Sequence, residues 1–305
     1  MTARTIGNRT IEVSREDKLF FPDDGITKGD VVDYFAAIAP VMLPHAKRRC
    51  LTLHRFPDGI DGDDFYQQSR PDYFPGWVDG FDAPTAEPGQ NVEHVVCDNQ
   101  ACLVYLASQA AFVLHSWLAT VDEPDCPDRM VFDLDPAGKG EDFTPVRQAA
   151  RRLHELLEEI ECPSFLMTTG SRGLHVVVPL DSSVDFDRSR EVASAVAGHL
   201  AARYPEELTT AHRKNKRRGR LYLDVMRNAR GQTSVVPYSL RARPGAPVAT
   251  PLDWDELSRS RLGPRYYHLG NIRRRLAQRD DPWKGMGRRA VSAEKVAERL
   301  DDLED

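Results

Sequence analysis

The feature that most constrains the fold is a short apolar run that carries two acidic residues, Val131-Phe-Asp-Leu-Asp-Pro136. The run has the length and the β-forming residues of a buried strand. Side chains two residues apart on a strand point to the same face, so Asp133 and Asp135 project together. Phe132 and Leu134 then enter the opposite, packed face. We therefore expect a sheet that buries one face of this strand and gathers carboxylates on the other.

The two carboxylates are a candidate metal site. Carboxylates held this closely repel each other and raise each other's pKa unless a cation lies between them. Oxygen ligands alone suit a hard ion such as Mg²⁺ or Mn²⁺. The alternative is that Asp133 and Asp135 end the strand and cap a turn before Pro136.

A third acid lies in a second apolar run, Leu221-Tyr-Leu-Asp-Val225. Asp224 is the only charge in this run, and a buried charge is costly unless it is paired or bound to a metal. Three carboxylates from two strands match what two-metal phosphoryl or nucleotidyl transfer requires. The alternative is an ion pair with a nearby arginine such as Arg220 or Arg227.

A glycine-containing turn, Thr168-Thr-Gly-Ser-Arg-Gly-Leu-His175, joins two further strand candidates. Its glycines allow backbone N–H groups to form a nest for anions. Arg172 offers a bidentate fork to phosphate, and His175 begins the next strand, within reach of the same site. The turn is not a Walker A sequence, because no Gly-Lys-Ser/Thr follows at the right spacing. The alternative is a simple hairpin turn with a structural histidine.

Basic residues are concentrated towards the C-terminus. Residues 1–210 carry 19 Lys and Arg against 35 Asp and Glu, a net charge of −16, whereas residues 211–305 carry 22 against 12, a net charge of +10. The run His212–Arg220 has six Lys or Arg among nine residues and directly precedes the Asp224 strand. This placement favours a phosphate clamp that faces a substrate, and Arg241 and Arg243 extend it. The alternative is a solvated basic surface that binds nothing.

Periodicity predicts a mixed α/β (α+β) fold with sheets flanked by helices. Predicted helices begin at Thr27, with Asp30 in the capping-box position, and at Thr144, the cap before Pro145. Two more cover Gln100–Trp117 and about 188–203. The strand candidates are Arg129–Leu134, Ser164–Thr168, Leu174–Leu180 and Leu221–Val225. A loop near residues 80–90 divides an N-terminal subregion from the core.

Several classes are excluded by composition. The 305 residues suffice for about two domains or one large one, and 41% are hydrophobic. No apolar stretch approaches the ~18 residues of a membrane span, and the first residues show no signal-peptide core. The five cysteines include no Cys-x-x-Cys pair, so we do not expect a disulfide scaffold. We expect the protein to reside in a reducing cytoplasm.

Three motifs occur in order along the chain: MVFDLDP, then TTGSRGLHVVVPL, then LYLDV followed by VVPYSLRARPGAPVATPLDW. Their combination and order are specific. With them the sequence resembles the polymerase domain of bacterial ATP-dependent DNA ligase D, a branch of the archaeo-eukaryotic primase superfamily. The resemblance runs from Ser14–Pro22 to Asp281-Pro-Trp283. It implies a primase-like catalytic core within one primase-polymerase domain over 1–305. Residues 1–90 would then hold the DNA 5′-phosphate and template contacts, and 91–305 the catalytic core.

The resemblance implies a template-dependent nucleotidyltransferase that acts in gap filling or non-homologous end joining. It also implies a preference for ribonucleotides and two Mn²⁺ (or Mg²⁺) ions per active site. The implied partners are DNA with gaps or double-strand breaks, NTP or dNTP, a Ku-type end-binding protein and a separate ATP-dependent DNA ligase, with no membrane. The implied location is the cytoplasm, at the nucleoid. The alternatives are a metal-dependent nuclease or phosphohydrolase and a non-catalytic DNA-end-binding scaffold.

Residue roles follow from the same resemblance. The matching catalytic metal ligands are Asp133, Asp135 and Asp224. The nucleotide-binding positions are His115, Thr169, Ser171, Arg172, His175 and Arg241. The DNA-binding positions are Lys18 and Lys28 for a 5′-phosphate, Phe65 and Tyr66 for stacking on the template, Arg55, and the basic-loop residue Arg217. We expect a polar group near the ribose from among Thr169, Ser171 and Asn228, unless these side chains only satisfy their own turns.

Overall fold

The computed structural model describes residues 2–84, 89–136, 138 and 142–303. The strands are β1 Thr2–Ile6, β2 Arg9–Val13, β3 Leu19–Phe21, β4 Ile26–Thr27, β5 Cys50–Arg55, β6 Phe65–Gln67, β7 Gly80–Pro84, β8 Asn91–Val96, β9 Ala111–Trp117, β10 Arg129–Asp135, β11 Phe165–Thr168, β12 Leu174–Pro179, β13 Leu208–Thr209, β14 Leu221–Asp224, β15 Thr233–Val235 and β16 Thr250–Leu252. The helices are α1 Lys28–Ala46, α2 Gln100–Ser108, α3 Thr144–Glu159, α4 Phe186–Arg203, α5 Lys214–Arg217, α6 Leu269–Leu276 and α7 Ala293–Asp301. In the described ranges, none of these helices has the length and apolarity needed to cross a membrane.

The predicted helix starts are confirmed closely for α1 and α4. Thr27 and Asp30 form a capping box before α1, as their spacing predicts. Asp185 caps α4, which therefore begins at Phe186, two residues before the predicted start. For α3 the prediction is one residue off, because Thr144 lies inside the helix and the Asp142 carboxylate accepts its N–H at 2.9 Å.

The prediction of one helix over Gln100–Trp117 is wrong in its second half. Helix α2 ends at Ser108, and Ala110 adopts the left-handed backbone conformation with φ +61°. The chain then reverses into β9, which pairs with β5 on one side and β15 on the other. A central strand is apolar on both faces, so its sequence lacks the polar alternation that distinguishes a strand from a buried helix.

The chain forms two compact units, each built from three chain segments. The first comprises Met1–Trp117, Thr233–Ala249 and Tyr267–Arg279. The second comprises Leu118–Gln232, Thr250–Tyr266 and Asp280–Asp305. Residue 90, the boundary expected between the N-terminal subregion and the catalytic core, lies inside the first unit, because the next strand, β8, pairs with β5 and β7. Both units combine sheet and helix, which confirms the predicted mixed α/β class.

The first unit is built on an antiparallel sheet in the order β15-β9-β5-β8-β7, with β6 pairing β5. Helices α1 and α2 pack on each other, and α2 also packs on the hairpin β1–β2. Phe20, Phe21 and Phe56 meet the ring of Phe112 on β9 at centroid distances of 4.9–5.5 Å. All four rings are buried, so they form the apolar centre of this unit.

The second unit is built on the sheet β13-β14-β10-β12-β11-β16, antiparallel except for the parallel pair β13–β14. The four strands predicted for this region are confirmed as β10, β11, β12 and β14, each within one residue at its ends. Helices α3 and α4 pack on the sheet and on each other. Phe132 and Leu134 are fully buried, as expected for the packed face of β10.

Candidate active site

The acidic strand β10 lies between β12 and β14, and this position assembles the candidate site. In the antiparallel register, Asp133 is directly opposite His175 on β12 and Asp224 on β14. Residues directly opposite on antiparallel strands project to the same face. These side chains therefore form a row across three strands, with Asp135 one step along β10 on the same face. The structure thus places the acids that the sequence groups as metal ligands on one face of the sheet.

Arginines neutralise Asp135. Arg172 donates from Nη2 to Asp135 Oδ1 at 2.9 Å, and Arg217 donates from Nη1 to Oδ2 at 3.2 Å. Both carboxylate oxygens are thereby engaged, one by the turn before β12 and one by the basic segment before β14. Charge-assisted bonds of this kind are strong because both partners are ionised.

Asp133 has a different set of counter-charges. His175 is buried, and its Nε2 lies 3.6 Å from Asp133 Oδ1, while Arg227 Nη2 lies 3.5 Å from Oδ2. Burial on its own raises the pKa of Asp133, but the nearby His175 and then Arg227 outweigh it and hold the pKa below its ordinary value. Asp133 is therefore in the ionised form that a metal ion binds.

Asp224 is held by hydrogen bonds rather than by a cation. The Tyr222 hydroxyl donates to Asp224 Oδ1 at 3.3 Å, and the Met226 N–H donates to the same oxygen at 2.9 Å. Burial and then the Asp224 charge raise the pKa of Tyr222 to about 12, so the phenol keeps the proton it donates. The alternative pairing with Arg220 or Arg227 is wrong: among the residues described, Asp224 makes no ion pair.

The donor set fits a hard divalent ion. Three carboxylates without a sulfur ligand face one side of the sheet, and Mg²⁺ and Mn²⁺ prefer oxygen donors. Within the described ranges, no three or more His, Cys, Asp and Glu side chains already converge as a metal site. The carboxylates of Asp133 and Asp135 instead form ion pairs with Arg172, Arg217 and Arg227, so a divalent ion bound there would replace these cations.

The turn between β11 and β12 packs directly against β10. A Cβ at Gly173 would lie 2.3 Å from the Leu134 carbonyl oxygen, so only glycine fits there. The Thr169 hydroxyl donates to the Gly173 carbonyl at 3.1 Å and accepts from the N–H groups of Ser171 and Gly173 at 3.3 and 3.2 Å. The turn itself therefore uses the Thr169 hydroxyl, which gives this side chain a structural role.

Asn228 has a structural role that the sequence did not reveal. Its Oδ1 accepts the Val131 N–H at 2.8 Å, and its Nδ2 donates to the carbonyls of Val131 and Val225 at 2.8 and 2.9 Å. These bonds fasten the chain that follows Asp224 to the strand that carries Asp133. Both amide donors are engaged by the backbone, so Asn228 is not the ribose contact that the sequence suggests.

The substitution Asn228→Ala should lower the free energy of unfolding by about 2 kcal/mol, because it leaves buried backbone groups of Val131 and Val225 without partners. Urea unfolding followed by circular dichroism measures the change. Asn215→Ala, at an exposed asparagine of α5, is the matched control and should be nearly neutral. Equal unfolding midpoints for the two variants would contradict the assignment.

The basic segment His212–Arg220 divides into anchored and exposed cations. Arg217 is anchored: besides Asp135, it donates to the carbonyls of Ala211 and His212, and its guanidinium lies 3.9 Å over the Tyr222 ring. Arg220 donates to three backbone carbonyls at 3.0–3.1 Å. The exposed cations are Arg213, Lys214, Lys216 and Arg218. This segment thus offers one arginine at the acids and four charges to solvent.

In the first unit, His115 and Arg241 lie side by side. Arg241 Nη1 is 3.3 Å from His115 Nε2. The Arg241 guanidinium is a fork of N–H donors of the kind that phosphate oxygens accept.

Lys18 and Lys28 are also placed close together in the first unit. The Lys28 N–H donates to the Lys18 carbonyl at 2.8 Å, and Lys28 Nζ donates to the Ser14 carbonyl at 2.9 Å. Burial and then the charges of Arg15, Lys18 and Arg55 lower the pKa of Lys28. Lys18 forms an ion pair with Asp58. This cluster of cations around a buried lysine is suited to an anion.

Arg55, Phe65 and Tyr66 lie on the paired strands β5 and β6. The exposed fractions of Phe65 and Tyr66 are 45% and 63%, which is unusual for large aromatic residues. Tyr66 stacks on His54 at a centroid distance of 3.9 Å, and the Arg55 guanidinium lies 5.3 Å over the Phe65 ring. The structure therefore presents two supported aromatic rings to solvent.

Residues 27–283 match the family described as LigD, primase-polymerase domain. The multifunctional non-homologous end joining DNA repair protein LigD of Mycobacterium tuberculosis is 33% identical over 255 residues, or 81% of this chain. The bifunctional non-homologous end joining protein LigD of Bacillus subtilis is 31% identical over 268 residues, or 88% of this chain. The chain spans 33% and 42%, respectively, of the lengths of these two proteins.

The fold is similar to that of the polymerase domain from Mycobacterium tuberculosis ligase D in complex with DNA. The TM-score is 0.84 at 30% identity, and the match covers 92% of this chain and 99% of the other. The predicted resemblance and the primase-like fold are thereby confirmed. The chain belongs to the LigD primase-polymerase domain family, a family of metal-dependent nucleotidyltransferases.

Proposed function

We propose that this protein is a template-dependent polymerase that adds nucleotides to DNA 3′ ends during gap filling or non-homologous end joining. The observation that carries the proposal is the row formed by Asp224, Asp133 and His175, with Asp135 beside it on the same face. The acids are the residue type that two-metal nucleotidyl transfer needs, and they lie on adjacent strands. The chain also matches the LigD primase-polymerase domain family over residues 27–283.

The three acids would hold the divalent ions, which we take to be two Mn²⁺ or Mg²⁺. Such ions, when bound, favour deprotonation of the primer 3′-hydroxyl and neutralise charge on the triphosphate. The chain's own residues position these groups. His175 and Arg227 keep Asp133 ionised, and Asn228 fixes β10 against the chain that follows Asp224.

The arginines of the site would bind the incoming triphosphate. Arg172 and Arg217 engage Asp135 through donors of the kind that phosphate oxygens accept. We propose that phosphate oxygens take over these donors when a divalent ion occupies the carboxylates. The backbone of the Thr169–Gly173 turn is a further nucleotide-binding element that we propose for the second unit. In the first unit we propose His115 and Arg241 as nucleotide-binding residues.

The DNA would be held by residues of the first unit. We propose that Lys18 and Lys28 bind the 5′-phosphate of a gap or break, and that Phe65 and Tyr66 stack on unpaired template bases, with Arg55 beside them. The two LigD relatives carry non-homologous end joining in their names. We extend their role to this chain, with a Ku-type end-binding protein and a DNA ligase as partners at the nucleoid.

One assay separates this function from its alternatives. The protein is incubated with a labelled primed template, a nucleotide and Mn²⁺. We expect the primer to lengthen. Shortening of the labelled strand would instead indicate a nuclease, and a stable complex with an unchanged strand would indicate a DNA-end-binding scaffold.

We expect ATP to be incorporated better than dATP opposite a template T. A hydrogen bond from a polar side chain such as Ser171 to the ribose 2′-hydroxyl would give roughly two- to tenfold selectivity. Competition between the two nucleotides in Mn²⁺ measures this ratio, and Ser171→Ala should reduce it. Equal incorporation or a preference for dATP by the unaltered protein would overturn the expectation.

A further inference from the structure

Tyr73 is an exposed aromatic residue to which neither the sequence nor the family match assigns a role. Its exposed fraction is 61%, close to that of Tyr66. The side chain is nevertheless fixed at both ends. Its hydroxyl accepts a hydrogen bond from Arg55 Nη1 at 2.7 Å, and its ring meets the buried Phe74 ring edge-on at a centroid distance of 5.3 Å. Phe74 in turn packs on Tyr105 at 5.0 Å, so the support reaches into the unit.

Arg55 connects Tyr73 to the exposed rings of β6. The same guanidinium that bonds the Tyr73 hydroxyl lies 5.3 Å over the Phe65 ring. It is anchored by the Gln109 carbonyl at 3.0 Å and the Gln67 side chain at 2.8 Å. These contacts are all to neutral groups: within the described ranges, no carboxylate neutralises Arg55. One uncompensated cation therefore lies between two solvent-facing rings.

This arrangement favours single-stranded nucleic acid as the ligand. Proteins bind unpaired strands with aromatic rings that stack on bases and cations that track the phosphates. The positive charge of Arg55 also acts on Lys28, whose pKa it helps to lower after burial, Arg15 and Lys18. The Arg55 charge therefore adds to the positive potential of other cations in this unit, which suits a polyanion. The alternative ligand for this surface is a protein partner, since tyrosine and arginine are also frequent at protein interfaces.

We propose that Tyr73 stacks on an unpaired base of the template strand, beyond the bases held by Phe65 and Tyr66, and that Arg55 fixes the Tyr73 ring for this contact. The proposal rests on the proposed polymerase function. It adds a third base-stacking position to the first unit and predicts that a longer unpaired template strand binds more tightly than a short one.

The test compares fluorescently labelled DNA with a short and a long template overhang, using anisotropy to measure the dissociation constant. The unaltered protein should bind the long overhang more tightly. Tyr73→Ala should remove this advantage, weakening long-overhang binding by about 10-fold while short-overhang binding changes little. Tyr73→Phe keeps the ring but loses the Arg55 bond, so it should lie between the two. Tyr266→Ala, at another exposed tyrosine, is the matched control and should bind like the unaltered protein.

The outcomes separate the inference from the function on which it rests. If the unaltered protein extends primers and prefers the long overhang, but Tyr73→Ala keeps that preference, the stacking role of Tyr73 is wrong and the polymerase function stands. Failure of the unaltered protein to bind or extend either DNA would overturn the function itself. Undiminished DNA binding by Tyr73→Ala, together with loss of a protein partner in a pull-down, would assign the surface to protein binding instead.

Discussion

The substitution Asp133→Asn will reduce nucleotide addition on the order of 10³-fold while DNA binding survives. Asp133 is the central member of the row that spans β12, β10 and β14, and it is the acid whose pKa is held low by its neighbours. Asparagine keeps the size of the side chain but removes the charge that binds a divalent ion. Single-turnover primer extension measures the rate, and DNA binding is measured separately by anisotropy.

The matched control is Asp125→Asn, which removes an exposed carboxylate from its ion pair with Arg230 in the same unit. This variant should extend primers at the normal rate, because exposed ion pairs contribute little to stability. Melting curves of both variants exclude unfolding as the cause. Extension by Asp133→Asn at a rate near that of the unaltered protein would show that the acid row is not the metal site.

Double replacement of Lys18 and Lys28 with alanine will erase the preference for gapped DNA with a 5′-phosphate over a 5′-hydroxyl. The expected loss is roughly 100-fold, because each lysine would contribute a charge-assisted bond to the phosphate. Lys28 should account for the larger share, since Lys18 is partly neutralised by Asp58. Competition binding with the two forms of the DNA measures the preference.

Two further measurements test whether Lys18 and Lys28 themselves bind the 5′-phosphate. Asp58→Asn frees Lys18 and should strengthen the preference. Raising the pH should weaken it before an ordinary lysine would lose its proton, since burial and neighbouring cations lower the pKa of Lys28 from its usual 10.5. A preference that persists in the double variant would place the 5′-phosphate elsewhere. So would a preference that stays constant as the pH is raised to the usual lysine pKa of 10.5.

The helices and strands that can be predicted from the sequence are those that a pattern of a few neighbouring residues identifies. The alternation around Asp133 identifies β10, and the Thr27–Asp30 capping box identifies the start of α1. Strand β9 escapes such a pattern because it is buried on both faces, and the turn that separates it from α2 depends on the left-handed conformation of Ala110. No glycine marks that turn, so the sequence carries no signal for it.

The site was predictable as a set of residues but not as a set of contacts. Side chains two residues apart on a strand share a face by period alone, so the sequence is enough to place Asp133 and Asp135 on the same face. That Asp224 and His175 flank Asp133 depends on strand order and register, which join residues far apart in the chain. The roles of Arg227 and Asn228 depend on the short turn after β14, whose path no local pattern predicts.

The central claim is that this chain copies a template by nucleotidyl transfer, and a template-exchange experiment tests it most directly. Four primed DNAs that differ only in the first unpaired template base are each incubated with the four nucleotides separately in Mn²⁺. The account predicts that each primer is lengthened mainly by the complementary nucleotide and that Asp133→Asn lengthens none. Addition that ignores the template base, or no addition by the unaltered protein, would contradict it.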